Sequence, residues 1–250
     1  MIIGDHLLPF GEFVETLRQE GARRYHHLHP FHRLMHDGKL TPGQLRGWVV
    51  QRFYYQSVLP LKDAAILANC PIREVRRSWV RRILNHDGTA DRPGGLDTWL
   101  KLGEAVGLTP EQVRNAEILP GVRLACDAYV TFCKTHSWLE GVAASLTTLL
   151  APDLHQTRLT ALRHHYPWIR PEGLAYFEWR LQAGRQDAEE ALDILRRYCV
   201  TAEDQRRCLD AFIFKTDILW ALLDAVYFEY VVRNDGRTPY DDVTAGRDGA

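Results

Sequence analysis

The sequence predicts an all-α fold: a compact single-domain bundle of helices around one apolar helix. Three observations predict it. Apolar residues recur at three- and four-residue intervals through nearly the whole chain, and alternating strand-like runs are scarce. Prolines and glycines fall where helices begin and end, with no linker and no internal repeat. One uncharged stretch, Gly141 to Pro152 (GVAASLTTLLAP), is apolar on every side, and such a helix must be enclosed by others.

The elements follow in order. Phe10, Phe13, Val14 and Leu17 mark a first helix. Thr41-Pro42 starts a second, with Thr41 as N-cap and Pro42 at N1, running to about Asn69 with a kink expected at Pro60. Pro71 separates it from a third over 72–86, ended by Asp87-Gly88, and a loop rich in Gly, Asp and Pro continues to Gly95. A helix near 96–106, a short one after Thr109-Pro110 and a long one from Pro120 to His136 come next. The apolar helix spans 138–150, Pro152 starts another that ends before Pro167, and amphipathic helices cover 172–198 and 202–232. Residues 1–232 are expected to form the domain, and 233–250 a polar, disordered tail.

Composition excludes several classes. The 250 residues carry 31 Lys plus Arg against 32 Asp plus Glu, so no basic coat for nucleic acid exists. A hydrophobic fraction of 46% excludes a disordered chain. The five cysteines (70, 126, 133, 199 and 208) are odd in number and never form CxxC, which fits reduced thiols in a cytoplasm and excludes a CxxC zinc site. Met1 to His6 lack a basic region followed by an apolar stretch, so no signal peptide is expected. The 141–152 stretch is too short to span a bilayer, which takes about 20 apolar residues.

Polar residues on inward-facing stripes carry the chemistry, because burying them costs free energy unless they are paired or ligand-bound. Lys215 shares a face with Phe212, Leu219, Leu222 and Val226; it must snorkel, pair with a carboxylate or meet a ligand. Arg82 and His86 are four apart, with His86 in a stripe with Trp79 and Ile83 at a helix end. His155 and Arg158 repeat that pattern beside Leu159 and Leu162. Tyr176 and Arg180 do so beside Phe177 and Leu181. Arg52, Tyr55 and Gln56 form a fifth group, on the helix that carries Trp48. If the helices form a ring, five such groups converge on one cavity. Arg and Lys bind carboxylates, His moves protons near neutral pH, and Tyr donates to developing oxyanions. The set suits a polyanionic small molecule undergoing proton transfers.

Other chemistries find less support. His26, His27, His29, His32 and His36 invite a metal reading, but Pro30 is expected to break the helix that would align the last three. No Glu-x-x-His pair of a di-iron bundle is present. The arginine run 73, 76, 77, 81 and 82 is interrupted by Glu74, so it reads as a solvated face with one or two Arg turned inward. No phosphate loop and no GxSxG elbow occur.

Seven stretches then carry a resemblance: YHHLHPFHRLMHDGKL, RFYYQSVLPLKDAAILANCP, RILNHDG, LPGVRLACDAYV, APDLHQTRL, HYPWI and FKTDILWALLDAVYF. In this order, over about residues 5–232, the chain resembles the pyrroloquinoline quinone (PQQ) synthases. The resemblance implies a heme-oxygenase-like, thiaminase-type homodimer in which six helices encircle a seventh. It implies an oxidase that closes a ring in a bicyclic, polycarboxylate amino acid derived from Glu and Tyr and removes several electrons. O2 is the implied acceptor and hydrogen peroxide a product, with no metal or organic cofactor. By similarity, catalytic positions fall on His86, Tyr176, Arg180, His155, His26 and Lys215. Substrate-binding positions fall on Tyr25, Arg52, Tyr55, Gln56, Arg82, Tyr129, Thr147 and Arg158. Tyr25, His26, Tyr129 and Thr147 come from the resemblance alone. One departure is evident: the family commonly reads SLTE before its AP dipeptide, and here Thr148 replaces that Glu. A metal-dependent helical oxygenase and a non-catalytic carrier of the cofactor or its precursor remain alternatives.

Overall fold

The computed structural model describes residues 6–243. Among them the regular structure is helical, and the sole β-type pairing is an isolated Thr89–Arg92 bridge. The α-helices are α1 (Phe10–Arg24), α2 (Pro30–His36), α3 (Pro42–Asn69), α4 (Arg73–Asp87), α5 (Gly95–Ala105), α6 (Pro110–Arg114), α7 (Pro120–Thr135), α8 (Trp138–Ala144), α9 (Ala151–His165), α10 (Ala175–Tyr198) and α11 (Ala202–Tyr227).

Local chemistry sets these boundaries. Thr41 accepts from the Gln44 amide at 3.2 Å while the Gln44 side chain accepts from the Thr41 amide at 2.9 Å, a reciprocal cap that satisfies two otherwise orphaned donors. α3 then continues through Pro60 without interruption. As expected, no continuous helix runs through His29, His32 and His36: His29 is extended and lies outside α2. Pro30 starts α2, because its missing N–H and fixed φ suit a first helical position. His29 caps α2 through Nδ1, which accepts from the Phe31 amide at 3.1 Å.

The apolar segment also departs from expectation. The α-helix ends at Ala144, and residues 145–149 wind as a tighter 3-10 turn. Hydroxyls there compete for backbone carbonyls: Ser145 Oγ donates to Gly141 O at 3.0 Å and Thr148 Oγ1 to Ser145 O at 3.1 Å. Every residue from Leu139 to Thr147 is buried. α3, α7, α10 and α11 pack around α8, and α9, α10 and α11 around the turn that follows. A Cβ on Gly141 would meet Ile66 Cγ1 at 2.6 Å, so glycine permits the close approach of α8 to α3.

The tail expected to be disordered is instead placed against α3 as far as Val243. Arg46 Nη1 donates to Tyr240 O at 3.0 Å, and the Tyr230 and Tyr240 rings lie 6.0 Å apart. The remaining tail residues lie outside the described residues.

Candidate active site

The stripes singled out above meet in the interior. Arg52, Tyr55 and Gln56 come from α3, Arg82 and His86 from α4, Tyr129 from α7, Thr147 from the 3-10 turn, His155 and Arg158 from α9, Tyr176 and Arg180 from α10, and Lys215 from α11. Tyr25 and His26 follow α1. All fourteen are buried and line one or both of two adjoining cavities, which share Tyr55, Leu59, His86, Thr147, Thr148 and Arg180.

Neighbouring aromatics hold this wall rigid. Trp99 donates from Nε1 to Val49 O at 2.9 Å and meets the Tyr176 ring edge-on at 4.7 Å. Tyr176 in turn donates its hydroxyl to Gln56 Oε1 at 2.9 Å. His86 is enclosed by the Asp87–Gly95 loop. Gly88 adopts φ +80° where α4 ends, and a Cβ on Gly95 would lie 3.2 Å from His86 Nδ1.

The cations fall into two groups. Arg180 donates from Nη1 to Asp187 Oδ2 at 3.2 Å, and Arg82 donates to the Asp187 carbonyl while its Nε lies 3.7 Å from Glu190. Lys62 bonds Asp63 at 2.5 Å and Ser145 Oγ at 2.7 Å. These charges are balanced. Burial pushes the Asp187 carboxyl up, but Arg82 and Arg180 outweigh it and hold the group below its ordinary value.

Arg52, Arg158 and Lys215 have no carboxylate partner among the described residues. Arg52 lies over Tyr55 with its guanidinium carbon 3.9 Å from the ring centre. Lys215 is 1% exposed, so it does not snorkel. Its amine has no hydrogen-bond partner and lies 3.8 Å from the centre of Tyr129 and 4.3 Å from that of Tyr55. Burial, then the charge of Arg52, pushes the Lys215 pKa well below that of an ordinary lysine. Burial and Arg52 likewise push Arg158 down to about 9, which leaves it charged at neutral pH.

The histidines are held neutral. Nδ1 of His26, of His86 and of His155 lacks a partner. Burial, followed by Arg52 and Arg158, pushes His26 well down; burial, followed by Arg158 and Arg180, does so for His155. Burial and Arg180 bring His86 to about 3. Unfolded, each titrates near 6.5. As pH falls below about 6.5 the unfolded chain takes up protons that the folded chain refuses, so stability is lost progressively toward the folded values. Thermal melts are expected to show Tm falling steadily from about pH 7 to about pH 5; a constant Tm over that range would contradict neutral histidines in this wall.

Sequence reasoning missed the counter-ions. Asp187 lies two turns beyond Arg180, with Gly184 between them leaving space for the guanidinium. Asp63 lies two turns beyond Gln56, so the same face periodicity could have found both. Thr148 lines both cavities with its hydroxyl turned to the backbone, so the carboxylates lining them are Asp63 and Asp187, both engaged. A third cavity, beyond Tyr25 and Leu154, is lined by His27, His36 and Asp153. No group of three or more His, Cys, Asp or Glu able to hold a metal exists among the described residues.

Fold and site together define a class: the chain belongs to the TENA/THI-4/PQQC family, whose model matches residues 15–225. A domain of unknown function with a heme oxygenase-like fold from Shewanella denitrificans superposes with a TM-score of 0.78 at 15% identity, over 92% of this chain and 97% of that one. A TenA homologue from Pseudomonas syringae gives 0.68 at 15% identity, over 89% and 98%. Within the family, the pyrroloquinoline-quinone synthase of Pseudomonas syringae pv. tomato is 51% identical over 93% of this chain and 92% of its own length. That of Pseudomonas entomophila is 51% identical over 94% and 93%.

Proposed function

We propose that the two adjoining cavities form one chamber in which this chain completes pyrroloquinoline quinone. The chain is an enzyme and catalyses the final step of PQQ biosynthesis, as its half-identical relatives do. The substrate class is the polycarboxylate bicyclic precursor, with O2 as oxidant. The observation that carries the site assignment is the trio Arg52, Arg158 and Lys215, buried without carboxylate partners. Such cations are costly in an empty site and favourable against an anionic ligand.

The roles follow from the environments. Arg52, Arg158 and Lys215 hold carboxylates and quinone oxygens, while Arg82 and Arg180, already neutralised, present N–H groups without adding net charge. Tyr25, Tyr55, Gln56, Tyr129 and Thr147 shape and orient the ring system. Ring closure needs an unprotonated amine held against its target carbon, and neutral His26 or His155 can take the proton released as the carbon–nitrogen bond forms. Each two-electron oxidation passes two electrons and two protons from a quinol-type ring to O2, giving quinone and hydrogen peroxide. The substrate is itself the reductant, so no metal or organic cofactor is required. His86, with Tyr176 and Arg180, stabilises the reduced oxygen.

The same reading makes residues 1–232 one catalytic domain of a cytoplasmic homodimer. The free state of all five cysteines supports the compartment, and exposed Leu124, Phe228 and Val232 support an interface. No helix among the described residues is long and apolar enough to cross a membrane. The test supplies chelator-treated protein with the precursor and follows O2 uptake and product absorbance. Product with O2 uptake is expected. Binding without O2 uptake would indicate a carrier, and loss of turnover on chelation a metal-dependent oxygenase.

A further inference from the structure

We propose that Lys62 is a further oxyanion-binding residue: its ammonium, clamped by two acceptors, presents its remaining N–H to a negatively charged oxygen at the inner end of the chamber. The inference rests on the reading of that chamber as the place where O2 oxidises the precursor. Lys62 lies on α3, 3% exposed, and lines the inner of the two adjoining cavities together with His86, Tyr129, Arg180 and Lys215. Both of its anchors are set to accept. Asp63 Oδ1 accepts from Lys62 Nζ at 2.5 Å and from the Trp79 indole N–H at 2.9 Å. Ser145 donates its own hydrogen to Gly141 O at 3.0 Å, so its oxygen accepts from Lys62 Nζ at 2.7 Å. An ammonium carries three N–H groups, and the third has no acceptor among the described residues. The Trp79 and Tyr129 ring centres, 5.5 and 5.7 Å from Nζ, attract the charge without accepting a hydrogen bond at that range. With so little of the residue open to bulk solvent, the cavity it borders is where that donor can be used.

The contrast with Lys215 gives the arrangement its meaning. The Lys215 amine has no hydrogen-bond partner and can follow a ligand. Lys62 is fixed at two points, and Asp63 cancels its charge. Such a donor adds no net charge to the cavity and acts only on an oxygen placed directly against it. A donor already in position when negative charge develops needs no reorganisation at that moment. The oxygen has two sources of one chemistry: O2 as it is reduced, or a carboxylate or quinone oxygen of the substrate.

The test separates direct contact from the neutralising of Asp63. Lys62→Met leaves Asp63 buried without a counter-charge, so it is compared with the double variant Lys62→Met, Asp63→Asn. There no charge is left unpaired, and the asparagine oxygen can still accept from Trp79. Both variants are expected to lose about ten- to hundredfold, the size of a hydrogen bond to a charged group. The quantity lost names the oxygen. A fall in kcat/KM for O2 with Kd for PQQ unchanged assigns it to reduced oxygen. A rise in Kd for PQQ and in KM for the precursor assigns it to the substrate. Wild-type values in the double variant would overturn the proposal, because Lys62 would then serve only to neutralise Asp63. A second measurement holds whether or not the variants fold. In crystals of the wild-type protein with PQQ or with hydrogen peroxide, a ligand oxygen is expected within hydrogen-bond distance of Lys62 Nζ in at least one. None in either would overturn the proposal. Wild-type protein that neither binds PQQ nor consumes O2 with the precursor would sink the functional reading as well, whereas an active wild type beside an unaffected double variant sinks this proposal alone.

Discussion

Lys215→Met is expected to make the protein more stable and far less active at the same time. Methionine keeps the length of the buried stem and removes an amine that has no hydrogen-bond partner at 1% exposure. An unsatisfied buried polar group costs about 1–3 kcal/mol. Contacts with the Tyr129 and Tyr55 rings offset part of that cost, by about 0.5–2 kcal/mol. A chain of this size gains about 2–4 °C in Tm per kcal/mol recovered, which calorimetry resolves. Activity moves the other way. Truncating one partner of a buried charge pair costs about 2–5 kcal/mol, or roughly thirtyfold to a few thousandfold in kcat/KM at 1.4 kcal/mol per decade. Both readouts are needed. A variant that lost activity and also melted earlier would mean that Lys215 serves packing. A stabilised variant with wild-type turnover would remove the amine from the reaction.

The second large effect concerns His86. His86→Ala is expected to lower kcat by about 10²–10⁴, the usual range for a positioned proton-transfer group, with a much smaller change in KM. Its neutral ring, driven to about 3 by burial and Arg180, lines both cavities beside Arg180 and Arg82. A neutral imidazole can shuttle protons to reduced oxygen without competing for the substrate's carboxylates. If oxygen chemistry is its task, O2 consumption and hydrogen peroxide release fall together while PQQ binding persists. Unchanged turnover would remove His86 from the oxygen step.

Much of this site was legible because helical periodicity is strict. Lys215 shares its stripe with Phe212, Leu219, Leu222 and Val226, all of which are buried, so a lysine there had to face inward. Arg52, Arg158 and Arg180 emerged by the same logic. Tyr25, His26 and Thr147 did not, because they lie at a helix end or in 3-10 turns, where no 3.6-residue period places a side chain. Periodicity could have paired Arg180 with Asp187 on α10, but not the partners that Arg82 finds on another helix. Arg82 and Asp187 meet across α4 and α10, 105 residues apart in the chain. The shift from α-helix to 3-10 at Ser145 was likewise hidden, since it accompanies hydroxyl-to-carbonyl bonds of Ser145 and Thr148 that the apolar pattern does not register.

The most direct test of the whole account is calorimetry of PQQ binding near pH 7 in buffers of different ionisation enthalpy. Lys215 and the buried histidines, whose pKa values burial depresses, should gain protons when a polyanion arrives, because an adjacent negative charge favours their charged forms. The binding heat is therefore expected to vary with buffer in the sense of net proton uptake, and Lys215→Met is expected to bind more weakly and take up fewer protons. A heat independent of buffer, with equal affinity in wild type and variant, would contradict it.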